Sequence, residues 1–91
     1  VIAVEALEGT DEAIKRAGRL AGKGVVVLKV ARTSQDMRID VPAVGAGTLR
    51  SLIRVAAAAL CLEAGRVAFF EREESLALAE SNRVAVLARQ A

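Results

Sequence analysis

Apolar residues recur along this chain at two different spacings, and the change between them separates predicted helices from predicted strands. Helical spacing, with an apolar residue at every third or fourth position, predicts helices over residues 11–21, 48–59 and 71–81. Compact apolar blocks predict strands over residues 1–6, 25–30, 59–63, 66–70 and 84–87. The order β-α-β-loop-α-β-β-α-β predicts an α/β layered fold with a mixed sheet, about five strands and three helices.

Three local features add detail to this plan. Thr10 precedes two acidic residues, so we expect its hydroxyl to cap the first helix. The block at residues 25–30 is rich in valine and is expected to form the central strand. Gly65 lies between two short apolar runs and predicts a hairpin that joins the strands at 59–63 and 66–70.

Length and composition restrict the class of protein. Ninety-one residues, 54% hydrophobic and 26% charged, suffice for one domain with its own core. The formal net charge of +2 does not indicate nucleic-acid binding. Cys61 has no second cysteine to pair with, so we expect a small buried residue in a reducing compartment. The longest apolar run, residues 55–62, is far below the about 20 residues of a membrane span.

Absences narrow the chemistry. The sequence contains no histidine, which excludes histidine-based triads and histidine-ligated zinc. It also lacks a Walker lysine loop, a G-x-G-x-x-G turn and a C-x-x-C pair. Acid, base and amide chemistry remains.

The polar segment at residues 35–40 is the first candidate for a site. It alternates beyond Gln35, so an extended chain places Asp36, Arg38 and Asp40 on one face. Two carboxylates beside a guanidinium suit a hydrated Mg²⁺ and a phosphate. The aspartates are about 13 Å apart in an extended strand, so either the segment bends or one aspartate binds metal while the other holds Arg38. A solvated Arg–Asp strand face is the alternative without function.

The turn into the first predicted helix is the second candidate. Amides at a helix N-terminus can receive a phosphate, and Gly9 permits close approach. A metal between carboxylate and phosphate would make Glu8 and Asp11 metal or substrate contacts; ordinary capping is the alternative. Lys29, near the end of the second predicted strand, either reaches a phosphate at the carboxyl edge of the sheet or extends to water.

Four motifs follow one another along the chain: VIAVEALEGTD at residues 1–11, VLKVA at 27–31, Q-D-x-R-x-D-x-P-x-x-G at 35–45 and EAGR at 63–66. In this order they resemble the C-terminal domain of the LpxI family, the UDP-2,3-diacylglucosamine pyrophosphatases of some Gram-negative bacteria, over essentially the whole chain. The resemblance implies a Mg²⁺-dependent hydrolase, with Mn²⁺ as a substitute metal. Its reaction would convert UDP-2,3-diacylglucosamine to 2,3-diacylglucosamine 1-phosphate (lipid X) and UMP in lipid A biosynthesis.

The resemblance also implies roles for individual residues. It places the catalytic acidic residue within 35–40, with Asp36 favoured and Asp40 next. Together with the residue pattern, the resemblance implies that the metal ligands are Asp36, Asp11 and Asp40. The implied substrate contacts are Glu8, Thr10, Lys29, Gln35 and Arg38. In one departure, Arg32-Thr33 stands where the family is expected to have Lys-Pro. This change keeps the charge and removes a rigid proline.

Partners and cellular place follow from the same resemblance. Family members carry an N-terminal domain, so residues 1–91 are expected to be the C-terminal catalytic part of a longer protein. The acylated substrate implies a cytoplasmic protein in peripheral contact with the inner membrane, to which Arg50 and Arg54 would add weak attraction. The alternative is a non-catalytic α/β ligand-binding or subunit-interaction module, and a divalent-metal titration separates the two.

Overall fold

The computed structural model describes residues 1–5, 8–31 and 42–90. Within them the elements are, in chain order, α1 (Thr10–Ala21), β1 (Val26–Lys29), β2 (Ala43–Val44), α2 (Ala46–Arg54), β3 (Ala59–Glu63), β4 (Ala68–Phe69), α3 (Arg72–Ser81) and β5 (Ala85–Arg89). The predicted α/β fold, with three helices and five strands in these residues, is confirmed.

Three strands form the principal sheet in the order β1-β3-β5. Both pairings are parallel, and Leu60 of β3 lies between Val27 of β1 and Val86 of β5. Parallel neighbours require a crossover, and α2 and α3 return the chain from the carboxyl edge of the sheet to its amino edge. The helices therefore begin near the carboxyl edge. β2 and β4 form a separate parallel pair, each directly before a helix.

Three expectations about the sheet are wrong. The hairpin around Gly65 does not form, because β3 pairs with β1 and β5 while β4 pairs with β2. Gly65, with φ 78°, instead turns the chain from one sheet toward the other. The described strands consequently form only parallel pairs, so the sheet is not mixed within the described residues. The central strand is β3 rather than β1.

The entry into α1 also differs from the prediction. Residues 1–5 form no strand in the structure. The residue that caps α1 is Gly9, with φ 89°, and no side chain caps the helix. Thr10 is the first helical residue instead, because its hydroxyl is engaged by other side chains, described below.

The core lies between one face of the principal sheet and the helices. Its buried members are Ile14, Val44, Leu49, Leu52, Ala57, Leu60, Leu62, Ala79 and Val84. The opposite face carries Val26 and Leu28, each 66% exposed, and Leu87 at 51%. Cys61 lies in the same cross-strand row as Leu28 and Leu87 and is half-buried, where a buried residue was expected. The described residues thus form two layers, helices over a sheet.

Close contact between α1 and α2 sets the position of α1 in this layer. A Cβ built on Gly18 of α1 would lie 2.7 Å from Cγ1 and 2.8 Å from Cβ of Val55. Only a residue without a side chain fits at that distance. At the other end of α1, Ser51 Oγ of α2 donates a hydrogen bond to Asp11 Oδ1 at 3.0 Å.

Candidate functional site

A lysine is held at the carboxyl edge of the principal sheet. The ammonium of Lys29, at the end of β1, donates to Thr10 Oγ1 at 2.8 Å and lies 3.4 Å from Glu5 Oε2. The Thr10 hydroxyl in turn donates to Glu5 Oε2 at 3.1 Å. We call these three residues the Lys29 cluster. It forms because α1 begins at the same edge where β1 ends.

The environment of Lys29 fixes its ammonium. Its side chain is 16% exposed, while that of Glu5 is 34% exposed. A lysine ammonium has three donors, and the described partners Thr10 and Glu5 account for two. In the structure the ammonium is held between Thr10 and Glu5, and contact of Lys29 with a phosphate stays a prediction. The ammonium is oriented by two oxygens and retains hydrogen-bonding capacity toward a further oxygen ligand.

Glu8, a predicted substrate contact, lies in an ion pair with Arg16 of α1. Arg16 contacts both carboxylate oxygens, with Nε 3.3 Å from Oε2. Its Nη2 also donates to the carbonyl of Val4 at 2.8 Å. The hydrogen bond to Glu8 raises the pKa of Arg16 above its ordinary value, so the guanidinium stays charged. This pairing anchors residues 1–5 beside the Lys29 cluster.

The predicted metal ligands are only partly within the structure. Asp11 accepts the hydrogen bond from Ser51, which is 5% exposed. No group of three acidic or cysteine side chains converges within residues 1–5, 8–31 and 42–90. Asp36 and Asp40, the other predicted ligands, lie outside the described residues, as do the predicted substrate contacts Gln35 and Arg38.

Helix N-termini are the second kind of anion site that the sequence suggested. A Cβ built on Gly9, at the start of α1, would meet no described atom within 4 Å. Phosphate binding at the start of α1 stays a prediction. At the start of α2 the Ala46 amide donates instead to Glu71 Oε1 at 3.2 Å. That helix end is already occupied by a carboxylate of the chain itself.

Glu63 is a residue at this edge to which the sequence analysis assigned no role. It ends β3, is 8% exposed, and its Oε1 accepts the backbone amide of Ala31 at 2.9 Å. Ala31 is itself 7% exposed and follows β1 by two residues. The sequence did contain a signal for a role of Glu63. It is an acidic residue at the end of an apolar strand, and the carboxyl edge of a parallel sheet is where ligands bind.

Two surface depressions are present, one at this edge of the sheet and one at the opposite ends of α1 and α2. One, of about 320 Å³, is at the carboxyl edge and includes Glu63, Phe69 and Arg72 in its lining. The Arg72 guanidinium lies 5.9 Å from the centre of the Phe69 ring.

The other depression, of about 380 Å³, lies near the carboxyl ends of α1 and α2. Four cations line it, namely Lys15, Arg19, Lys23 and Arg54; we call it the basic groove. Arg50, the other arginine expected to attract lipid, does not line this groove and is paired with Glu74 at 2.7 Å. No helix in the described part of the chain is long and apolar enough to cross a membrane.

Fold and site together define an α/β domain with a parallel sheet, a class that holds its ligands at the carboxyl edge. The Lys29 cluster and Glu63 lie at that edge. The family model described as LpxI C-terminal domain matches residues 1–87, and the chain belongs to this family.

A curated relative agrees with this assignment. The protein named UDP-2,3-diacylglucosamine pyrophosphatase LpxI from Caulobacter vibrioides is 34% identical over an alignment of 88 residues. The match covers 88% of this chain and 31% of that relative. The chain therefore spans about a third of the length of the relative.

Proposed function

We propose that this chain supplies catalytic residues to a hydrolase that cleaves the pyrophosphate of UDP-2,3-diacylglucosamine. Membership of the LpxI C-terminal domain family supports the substrate class. The observation that carries the proposal in the structure is the Lys29 cluster, a fixed ammonium at the carboxyl edge of the sheet. Pyrophosphate is a dense anion, and an oriented ammonium in a largely buried position is suited to bind it.

The reaction we propose is attack of water on one phosphorus of the pyrophosphate. The bridging P–O bond breaks, and its electron pair leaves with the other phosphate. Attack at either phosphorus gives UMP and 2,3-diacylglucosamine 1-phosphate. Lys29 would stabilise negative charge on the phosphate oxygens as it develops, while Thr10 and Glu5 hold the ammonium in place. Asp36, with Asp40 next, is the residue we propose to orient the water or hold metal.

Dependence on Mg²⁺, with Mn²⁺ as a substitute, is part of the proposal. The described residues by themselves assemble no three-ligand centre, so we derive no step through a metal. The support is chemical, because Mg²⁺ is bound in proteins by one or two carboxylates together with waters and substrate phosphates. Asp36 and Asp40 would supply such carboxylates, and the ion would neutralise charge on the pyrophosphate.

The proposal is tested by ³¹P NMR of UDP-2,3-diacylglucosamine incubated with the complete protein that carries this domain. Asp36→Ala is expected to abolish hydrolysis while the fold stays intact. Lys29→Met keeps the aliphatic stem and removes the ammonium, and should lower kcat by about 100-fold, the effect of deleting one charge-stabilising donor. Lys23→Met is the matched control, because this exposed lysine belongs to the basic groove, and it should leave kcat within about twofold.

Near-normal turnover by well-folded Asp36→Ala or Lys29→Met would remove the assignment of that residue. Absence of hydrolysis by the unmodified protein, with Mg²⁺ or Mn²⁺ supplied, would favour the alternative of a non-catalytic ligand-binding or subunit-interaction module. A divalent-metal titration followed by calorimetry adds an independent readout. An enzyme site should bind Mg²⁺ weakly and lose this binding in Asp36→Ala.

We further propose the partners that the family implies. A segment corresponding to the rest of the relative, including an N-terminal domain, would help to enclose the acyl chains, since the buried core of this domain is filled by its own sheet and helices. We also propose a cytoplasmic protein that meets its acylated substrate at the inner-membrane surface. The basic groove supports weak electrostatic attraction to anionic lipid.

A further inference from the structure

A buried carboxylate joins two strands of the principal sheet at their carboxyl ends. Glu63 is 8% exposed, and its Oε1 accepts the Ala31 amide at 2.9 Å. Ala31 follows β1. Among the described residues, no cation lies within ion-pair distance of Glu63. Its hydrogen bond to the Ala31 amide is therefore the contact that defines its role.

The bond links places that are far apart in the sequence and close at the site. Ala31 lies two residues beyond Lys29, whereas Glu63 lies 32 residues further along the chain. The Ala31 amide has left the strand ladder, because β1 ends at Lys29. A buried amide without a ladder partner requires another acceptor. Glu63 supplies that acceptor from the neighbouring strand β3.

We propose that Glu63 is a positioning residue for Lys29, acting through its hydrogen bond to the Ala31 amide just beyond the end of β1. This inference rests on the proposed function. By fixing Ala31, Glu63 holds the end of β1 that carries Lys29 at the carboxyl edge of the sheet. To hold the Ala31 amide, the side chain of residue 63 needs sufficient length and an acceptor oxygen. A metal ligand or a general base would instead need the negative charge of the carboxylate.

Two conservative variants separate reach from charge. Glu63→Gln keeps the length and the acceptor oxygen and removes the charge. Glu63→Asp keeps the charge and shortens the side chain by one methylene, which withdraws the acceptor from Ala31. Ser75→Ala is the control for general loss of stability, since this serine is fully buried in α3 and bonds the carbonyl of Phe70 rather than Ala31.

Each variant of the complete protein is measured in two ways. The first is hydrogen exchange of the Ala31 amide by ¹⁵N NMR. The second is kcat and KM for UDP-2,3-diacylglucosamine. Glu63→Asp should accelerate exchange of this amide and lower kcat, each about tenfold, the equivalent of one lost hydrogen bond of about 1.4 kcal/mol. KM should stay within about twofold. Glu63→Gln should keep both exchange and kcat within about threefold of the unmodified protein.

The opposite order, with Glu63→Gln more damaging than Glu63→Asp, would overturn the proposal, because the charge would then be what matters. So would a kcat loss of equal size in Ser75→Ala, or no effect in either Glu63 variant. If the unmodified protein does not hydrolyse the substrate, the proposed function fails. The exchange measurement still decides in that case whether Glu63 holds the Ala31 amide.

Discussion

Replacement of Gly18 by alanine tests whether the contact between α1 and α2 is as close as the structure has it. The added Cβ would lie 2.7 Å from Cγ1 and 2.8 Å from Cβ of Val55. Carbon atoms pack at about 3.5–4.0 Å, so one helix has to move by several tenths of an ångström. Val55 Cβ is attached directly to the backbone and cannot rotate away.

The expected magnitude is the balance of two effects. Overpacking a close contact costs about 1–3 kcal/mol, whereas exchanging glycine for alanine within a helix gains up to about 1 kcal/mol. Gly18→Ala should therefore lower the free energy of unfolding by about 1–2 kcal/mol. Gly47 of α2 is the matched control, because a Cβ there would meet no atom of the described residues within 4 Å. Gly47→Ala should be neutral or stabilising by up to about 1 kcal/mol.

Urea unfolding followed by circular dichroism gives the free energies of unfolding of the Gly18→Ala and Gly47→Ala variants. The single variant Val55→Ala and the double variant Gly18→Ala, Val55→Ala complete a double-mutant cycle. Removing the Val55 methyl groups eliminates the contact with Cγ1 at 2.7 Å but keeps the contact with Cβ at 2.8 Å, so it should relieve part of the cost of Gly18→Ala. The reasoning fails if Gly18→Ala stabilises as much as Gly47→Ala. It fails equally if the two sites show no coupling in the cycle.

Two further predictions concern the helix contact near the site and the basic groove. Ser51→Ala should lower the free energy of unfolding by about 1–2 kcal/mol, because it removes the hydroxyl that donates a hydrogen bond to Asp11. In an Asp11→Asn background the same substitution should cost less. Equal losses in the two backgrounds would contradict this prediction. The complete protein should sediment partly with anionic vesicles at low salt and be released at about 1 M salt, where charges are screened within about 3 Å. Binding that survives high salt without substrate would contradict purely electrostatic contact, and the double variant Lys23→Gln, Arg54→Gln should bind less at low salt.

Helices were the part of the fold that local periodicity could predict. The spacing over residues 11–21 placed α1 to within a residue, and that over 71–81 did the same for α3. For α2 the prediction ran on to residue 59, because alanine, a good helix former, continues the apolar pattern beyond Arg54. The structure ends α2 at Arg54.

Strand pairing was harder to predict, because it depends on contacts distant in sequence. Gly65 between two apolar runs has the local appearance of a hairpin. The partners of β3 are nevertheless β1 and β5, which supply the two parallel ladders that bury Leu60 and Leu62. The stabilisation from burying these leucines depends on residues far apart in the sequence, so a short stretch of sequence does not indicate it. This stabilisation outweighs the local preference for a turn.

The site was predictable where fold topology decides it. Lys29 could be placed at the carboxyl edge from the strand that precedes it. The cap at Thr10 was wrong because two charged groups, Lys29 and Glu5, compete for its hydroxyl with the helix amides. Glu63 went without a role since only the folded chain brings its carboxylate to the Ala31 amide.

The alternation of β3 also restricts how this chain can fold. Leu60 and Leu62 face the helices, while Cys61 and Glu63 alternate with them. A slip of β3 by one residue against both neighbours would exchange these two sets. Glu63 would then enter the layer between sheet and helices without the Ala31 amide, at a cost of several kcal/mol. Glu63 thus disfavours the shifted pairing of β3 and helps to specify the register of the sheet.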